Sequence, residues 1–141
     1  LNECQAAELA DGTVYLNMRS YHGKHRRAVA RSADGGETWS AVGWDEALVE
    51  PVCQAGLLAL PDGGVLFSNP AAVTRENLTV RLSRDGCRTW PVAWTLHAGP
   101  SAYSDLALAP DGAICCLYER GNEHPYETIT LARIRAARFR V

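Results

Sequence analysis

An eight-residue pattern occurs twice in this chain and constrains its fold more than any other feature. "SADGGETW" covers Ser32–Trp39, and "SRDGCRTW" covers Ser83–Trp90 about 50 residues later, so both read Ser-x-Asp-Gly-x-x-Thr-Trp. Asp and Ser side chains can hydrogen-bond the backbone of their own turn, and glycine adopts the positive φ that such a turn requires. The pattern therefore predicts one structural turn in each of two repeated units, with the Trp packed beneath it.

A second marker, Asp-Gly, follows the same period. It occurs at Asp11-Gly12, Asp62-Gly63 and Asp111-Gly112, and each pair is followed by a β-rich run: "TVYLNMR", "GVLFSNP" and "AICCLYE". Asp-Gly between two such runs is a strong hairpin signal. After the first two hairpins come the strand-like runs "RRAVARS" and "NLTVRLS" and then the Ser-x-Asp turn. The predicted unit is thus hairpin, strand, turn and strand.

Units of four short antiparallel strands that repeat about every 50 residues are typical of β-propeller blades. Seven prolines and twelve glycines interrupt the chain, and only the tail "ARIRAARFRV" is a helix candidate. We therefore predict an all-β fold in which residues 1–141 form about three blades. Because propellers have about four to eight blades, we expect this chain to be the C-terminal part of one propeller domain whose N-terminal blades are absent from the chain.

Composition excludes several function classes. The net charge of −2 gives no general attraction to nucleic acid or to an anionic membrane, and 47% hydrophobic with 21% charged residues is ordinary for a globular domain. We interpret the basic run His22–Arg27 as a solvated loop. No apolar run reaches the roughly 18 residues of a transmembrane helix. The cellular location stays open.

Five cysteines and four histidines show no metal-ligand spacing. Adjacent Cys115 and Cys116 would point to opposite faces of a strand and so would not pair. We interpret the cysteines as small buried side chains. His22 and His25 lie in a polar, Gly-containing stretch that does not suggest a ligand set. We predict no metal site and no cofactor.

Residues that repetition does not explain lie near the predicted strand ends. They are two arginines, a tyrosine and two carboxylates: Glu3, Arg19, Arg75, Tyr103 and Glu119. Arginine stays charged and binds carboxylates through a bidentate fork. On residue type alone the group indicates either an anion clamp or ordinary salt bridges on the blade rims.

Over its whole length the chain resembles the C-terminal part of the non-viral exo-sialidases (neuraminidases), six-bladed propellers that carry Ser-x-Asp-x-Gly-x-Thr-Trp boxes. The motifs follow the family order: "NECQAAEL", "LNMRS", "LVEPVCQAGLL", "FSNPAAVTRENLTVRLS", "AYSDLAL" and "CLYERG". A box alone is weak evidence, since unrelated propellers carry it, and the second box has Cys87 where the pattern has Gly. "AYSDL" followed by "CLYE", after both arginine motifs, is specific.

The resemblance implies a role for each unexplained residue. Tyr103 would be the nucleophile, and Glu3 the base that takes its proton. Arg19 and Arg75 would be two members of an arginine triad that binds the substrate carboxylate, and Glu119 would hold the first arginine of that triad. A sialylated glycan (glycoprotein, ganglioside or oligosaccharide) would be the substrate.

Several residue assignments stay open from the sequence alone. Arg81 is a rival to Arg75, although it leads directly into the second box. The family's first arginine and its acid/base aspartate lie upstream of Glu3, so we expect the chain alone to be inactive. Asp45 and Asp105 are available carboxylates outside the family context, and Asp105 would share a face with Tyr103 in an extended segment.

Two functions besides hydrolysis also fit the sequence. A non-catalytic Ser-x-Asp-box propeller would bind glycans or proteins. A trans-sialidase, including an intramolecular one that releases an anhydro product, would use the same Tyr–Glu pair and differ in the group that attacks the covalent intermediate.

Overall fold

The computed structural model describes residues 1–135, and this part of the chain contains strands and no helix. The ten strands are β1 (Asn2–Glu8), β2 (Val14–Arg19), β3 (Arg26–Ser32), β4 (Gly43–Val49), β5 (Gly56–Ala59), β6 (Val65–Pro70), β7 (Glu76–Ser83), β8 (Val92–Leu108), β9 (Ile114–Arg120) and β10 (Thr128–Ile134). The all-β prediction is confirmed. Consequently, within residues 1–135 there is no helix that could cross a membrane.

The strands form three successive antiparallel units. β1 to β4 make one sheet in chain order, and β5 to β10 make a second sheet, also in chain order. The 17-residue strand β8 belongs to two units, because its first half pairs with β7 and its second half with β9. The predicted order of hairpin, strand, turn and strand is therefore confirmed, and the described residues contain about three blades.

Each Asp-Gly pair forms the predicted hairpin turn. Gly12, Gly63 and Gly112 have φ values of 81°, 84° and 80°, which favour glycine because it lacks a Cβ atom. In the first turn the Asp11 carboxylate accepts a hydrogen bond from the backbone N–H of Thr13 at 3.0 Å. The residues of the turn therefore close β1 onto β2 and place Glu8 opposite Val14.

The two Ser-x-Asp turns have the same internal hydrogen bonds. In the first, Asp34 accepts from the Ser32 hydroxyl at 2.7 Å and from the Thr38 backbone N–H at 2.9 Å. In the second, Asp85 accepts from Ser83 at 2.8 Å and from the Thr89 backbone at 2.9 Å. Bonds from the Thr38 hydroxyl and N–H, with the Ser32 bond, lower the pKa of Asp34 to about 2.

The Trp residues of the two turns differ in burial. Trp90 is buried, its ring lies 5.7 Å from that of Phe67, and its indole N–H donates to Asp45 in the preceding unit at 2.9 Å. Trp39 is 42% exposed. The prediction that the Trp packs beneath the turn is thus confirmed for the second turn and wrong for the first. Trp90 packs between two units, against Phe67 of its own unit and Asp45 of the preceding one.

Most of the core lies between units. One cluster joins residues of the first unit, such as Tyr15 and Leu48, to Phe67 and Trp90 of the second. Another joins the second unit to the third, and Leu66 belongs to it. Neighbouring residues of β6 thus face different clusters, and all six residues of this strand are buried. The middle unit is stabilised by burial on both faces.

Three sequence interpretations need correction. The basic run is not wholly a solvated loop, because β3 begins at Arg26 and Arg27 is completely buried. All five cysteines are free and three are buried, but Cys4 is exposed at the irregular start of β1 and Cys115 is only partly buried. The helix suggested for the tail is wrong for residues 132–134, which pair with β9 as a strand. The rest of that prediction, residues 136–141, lies outside the described residues.

We predict that Asp34→Asn lowers the melting temperature at neutral pH and that the difference disappears in acid. Because the pKa of Asp34 falls from 3.8 to about 2 on folding, its charge stabilises the folded state above pH 3.8, and this stabilisation is lost as pH falls through 2. Circular dichroism melts of both proteins between pH 7 and pH 2 measure this convergence.

The matched control is Glu37→Gln, which removes a charge from the same turn. Within residues 1–135 no hydrogen bond or ion pair of the Glu37 carboxylate is present, so its melting curve should follow the wild type. If the melting temperatures of the wild type and Asp34→Asn differ by the same amount at pH 7 and at pH 2, the charge of Asp34 does not stabilise the turn.

Candidate active site

The five predicted site residues come from all three units. Glu3 lies in β1, Arg19 ends β2, and Arg75 lies in the loop between β6 and β7. Tyr103 lies in the second half of β8 and Glu119 in β9. The structure brings all five together around the side chain and backbone of Tyr103.

Tyr103, Glu3 and Arg19 form a hydrogen-bonded triangle. The phenol O–H of Tyr103 donates to Glu3 Oε1 across one hundred residues of sequence. Arg19 Nη1 donates to Glu3 Oε2 at 2.6 Å and to the Tyr103 oxygen at 3.2 Å. The Arg19 side chain is 13% exposed and that of Glu3 29% exposed. Both are therefore accessible to a ligand yet held by fixed partners.

Irregularities in two strands direct these side chains. The β1–β2 register shifts between Asn2 and Gln5, and Glu3 within this shift has a positive φ of 43°. The β8–β9 register shifts between Ser101 and Ser104, a stretch that contains Tyr103. Bulges change the direction of a side chain and occur often beside active sites. A positive φ at a non-glycine residue is strained and is kept only where the surroundings stabilise it.

Arg75 completes the group from the second unit. Its guanidinium carbon lies 5.8 Å from the centre of the Tyr103 ring and 5.9 Å from that of Tyr126. Nη1 donates to the Tyr126 hydroxyl, and Nη2 donates to the Val52 carbonyl at 3.4 Å. Sequence reasoning missed Tyr126, because it lies in the irregular segment "NEHPYE", where neither repetition nor periodicity gives a signal.

The backbone around Tyr103 is held from two sides. Glu119 Oε2 accepts from the Tyr103 N–H at 3.0 Å. Gln54 both accepts from the Ser104 N–H and donates to the Ser104 carbonyl, each at 3.0 Å. Gly56 permits this close approach, since a Cβ there would lie 2.7 Å from Ser68 Oγ and 3.2 Å from the Ser104 carbonyl. Gln54 lies in the segment "LVEPVCQAGLL", but the sequence alone predicted no role for this residue.

The charges of the site favour a neutral phenol beside an ionised carboxylate. Burial alone would raise the pKa of Glu3, but hydrogen bonds from Tyr103 and Arg19 and the charges of Arg19 and Arg75 lower it overall. The hydrogen bond to Glu3 raises the pKa of Tyr103, and burial and the Glu3 charge act in the same direction. In the resting site the proton therefore stays on Tyr103, hydrogen-bonded to an ionised Glu3 that can accept it when the phenol attacks.

An open cavity of about 310 Å³ lies beside this group. Tyr103, Asp105, Glu119, Gln5 and Gln54 contribute to its lining. Tyr103 and Asp105 thus share one cavity, as their spacing predicted. No cluster of three or more His, Cys, Asp or Glu side chains that could hold a metal ion occurs within residues 1–135.

The remaining candidates lie away from the phenol. Asp45 accepts from the Trp90 indole of the second unit at 2.9 Å and from the Ala47 backbone of its own strand at 3.0 Å, so its contacts are structural. Arg81 pairs with Ala93 in the body of the second unit, and burial lowers the pKa of its guanidinium. Neither Arg81 nor Asp45 contacts Tyr103, so of the two rival arginines only Arg75 reaches the site.

Comparisons with known proteins agree with this architecture. The model of the BNR repeat-like domain family matches residues 1–116. The sialidase of Micromonospora viridifaciens is 37% identical over 94% of this chain and 22% of its own length. The structure of Hadza microbial sialidase Hz136 is 35% identical with a TM-score of 0.82, over 95% of this chain and 27% of that one.

A structure of the intramolecular trans-sialidase from Ruminococcus gnavus is 25% identical with a TM-score of 0.79, over 98% of this chain and 33% of its own. The chain thus spans about a third or less of the length of each of these relatives. Its three units correspond to part of a sialidase-type β-propeller. The chain belongs to the BNR repeat-like domain family, among the non-viral sialidases that carry these repeats.

Proposed function

We propose that this chain forms part of an exo-α-sialidase, which hydrolyses terminal sialic acids from glycoproteins, gangliosides or oligosaccharides. The observation that carries the proposal is the hydrogen bond from the Tyr103 phenol to Glu3, with Arg19 bonded to the phenol oxygen and Arg75 near the ring. This arrangement supplies a nucleophile, its base and two carboxylate-binding groups.

The substrate explains why the nucleophile is a phenol. Most retaining glycosidases attack with a carboxylate, and sialidases with a Tyr nucleophile are an exception. Sialic acid has a carboxylate on its anomeric carbon, so an anionic nucleophile would approach against like charge. A protonated phenol avoids this repulsion, and the raised pKa of Tyr103 keeps it protonated in the resting site.

In the first step Tyr103 Oη forms a bond to the anomeric carbon as the bond to the aglycone breaks. The phenol proton passes to Glu3, whose oxygen already accepts it in the resting hydrogen bond. An acid from an upstream unit would protonate the aglycone oxygen as it leaves. In the second step water attacks the same carbon as the bond to Tyr103 breaks, Glu3 returns the phenol proton to Oη, and the conjugate base of that upstream acid would take the proton that the water loses. Two displacements give net retention of configuration.

Arg19 and Arg75 hold the substrate carboxylate while charge moves. Their guanidinium groups approach the phenol from two units, and a fork of N–H donors suits a carboxylate. We further propose that the three units are the C-terminal part of one propeller domain. Upstream units would then supply the third arginine, held by Glu119, and the acid that protonates the leaving group.

Trans-sialylation is the second candidate, and the likeness to an intramolecular trans-sialidase favours it over a non-catalytic binding propeller. Hydrolysis and transfer pass through the same Tyr103-linked intermediate and differ in whether water, a sugar hydroxyl or a hydroxyl of the sialic acid itself attacks. Product masses from a sialyl-oligosaccharide in the presence of an acceptor sugar distinguish free, transferred and anhydro sialic acid.

We predict that Tyr103→Phe in the natural-length gene product reduces hydrolysis of a fluorogenic sialoside on the order of 10³-fold or more, because the nucleophilic oxygen is removed. Tyr126→Phe, which keeps Tyr103 intact, is the matched control and should retain most of kcat. A Tyr103→Phe variant with full ligand binding, beside a wild type without turnover, would favour a non-catalytic binding propeller.

We predict that Glu3→Gln lowers the pKa of the Tyr103 phenol. The hydrogen bond to the charged carboxylate is the largest cause of its raised pKa, so a neutral acceptor should bring ionisation to lower pH. A carbon-13 NMR titration of ζ-labelled tyrosines, assigned with Tyr103→Phe, measures this shift without any activity. Glu8→Gln on the same strand is the control, and a Tyr103 titration that is equal in the wild type and both Gln variants would refute the coupling.

We predict that Arg75→Lys raises KM for a sialoside about 10- to 100-fold, the range expected for loss of a hydrogen bond between charged groups. A lysine keeps the charge but cannot present the planar fork. Arg81→Lys is the control, since this arginine lies away from the site, and its KM should equal that of the wild type. A higher KM for Arg81→Lys with an unchanged KM for Arg75→Lys would show that Arg81, and not Arg75, binds the substrate carboxylate.

A further inference from the structure

A completely buried ion pair lies in the first unit, close to the site. Arg27 in β3 and Glu50, just after β4, have 0% and 1% of their side chains exposed, and Arg27 Nη1 lies 2.8 Å from Glu50 Oε2. Burial of two charges is unfavourable unless further hydrogen bonds satisfy them. The partners that supply those bonds are the Asn17 side chain and the backbone of Ser20 and Cys53, which lie near the two arginines of the site.

Glu50 holds the chain on the far side of Arg19. Its Oε1 accepts from the Ser20 backbone N–H at 2.8 Å, and Ser20 directly follows Arg19. Arg27 holds the near side, because its Nε donates to Asn17 Oδ1 at 2.6 Å, two residues before Arg19. The pair thus holds the chain two residues before and one residue after Arg19, whose guanidinium contacts Tyr103 and Glu3.

The same pair fixes the segment beside Arg75. Cys53 donates its N–H to Glu50 Oε2 at 3.3 Å, and its carbonyl accepts from Arg27 Nη1 at 2.7 Å. The preceding residue, Val52, has a positive φ of 56°, and its carbonyl accepts from Arg75 Nη2 at 3.4 Å. A β-branched residue adopts this conformation only where neighbours enforce it, and both bonds of Cys53 do so.

We infer that the Arg27–Glu50 pair is a positioning device that sets the separation of the Arg19 and Arg75 guanidinium groups and hence the recognition of the substrate carboxylate. This inference rests on the proposed function. Arg27 and Glu50 are positioning residues rather than catalytic ones, since both are inaccessible to a ligand. The competing explanation is that the pair only stabilises the fold.

The two explanations differ for a variant that replaces both charges together. Apolar side chains of similar volume often substitute for a buried ion pair without loss of stability. The double variant Arg27→Met/Glu50→Leu should therefore stay folded. It nevertheless lacks the hydrogen bonds that the ion pair makes to Asn17, Ser20 and Cys53. A purely structural role predicts normal catalysis in the folded double variant, whereas a positioning role predicts a specific defect in carboxylate recognition.

The experiment measures kcat/KM of the natural-length protein for a fluorogenic sialoside and for its uncharged methyl ester. The ratio of the two values does not depend on how much of the protein is folded, so lower stability alone cannot change it. We expect the acid-over-ester ratio to fall on the order of 10-fold or more in the double variant. The fall should come from a higher KM for the acid, with kcat nearly unchanged.

A second, more conservative variant tests the same inference if the double variant does not fold. Arg27→Lys keeps a cation beside Glu50 but cannot reach Asn17, Glu50 and Cys53 at once, because its ammonium is a single point charge. It should lower the ratio in the same direction. The matched control is Arg26→Met/Glu46→Leu, which removes a partly exposed pair, 3.3 Å apart, from β3 and β4 and should keep the wild-type ratio.

The outcomes separate this inference from the proposed function. A wild type that hydrolyses the sialoside, beside Arg27 variants that keep its acid-over-ester ratio, would overturn the positioning role and leave the sialidase proposal intact. A wild type without turnover of either substrate would overturn the sialidase proposal and the positioning role together.

Discussion

The structure depends on the burial of each sheet between its neighbours. A single four-stranded unit cannot bury both of its faces, and the middle unit does so only because its two neighbours cover it, as the complete burial of β6 shows. The Trp residues of the two Ser-x-Asp turns illustrate the same constraint. Trp90 is buried against the preceding unit, whereas Trp39 keeps 42% of its surface exposed. Stability in such repeat architectures lies in the interfaces as much as in the units.

Stacking of the units also creates the site. Glu3 comes from the first unit and Tyr103 from the third, and their hydrogen bond joins positions one hundred residues apart. The arginines come from the first and second units, so no unit alone holds the phenol, its base and both cations. The shared strand β8 continues from the second unit into the third and pairs in both. Paired strands, rather than a loop, therefore fix the distance between Tyr103 and Glu3 on which proton transfer depends.

Sequence patterns succeeded where local chemistry determines structure. The Asp-Gly hairpins and the Ser-x-Asp turns need only their own residues, and the structure confirms both. Patterns failed where burial is decided by distant residues. Arg27 looked like part of a solvated basic run, yet it is buried against Glu50, and Tyr126 reaches Arg75 from a segment without periodicity. Charge and hydropathy along the chain carry no information about such partners.

The sequence by itself therefore determined the repeat length, the all-β class, the turns and the set of chemically unusual side chains. The tertiary structure alone decided that the Tyr103 phenol donates to Glu3, that Arg75 rather than Arg81 reaches the ring, and that a buried ion pair braces both arginines. The physical reason is the distance along the chain over which each kind of interaction acts. Turns and strand alternation follow from interactions within a few residues, whereas hydrogen bonds and pKa shifts at the site depend on groups brought together only when the units pack.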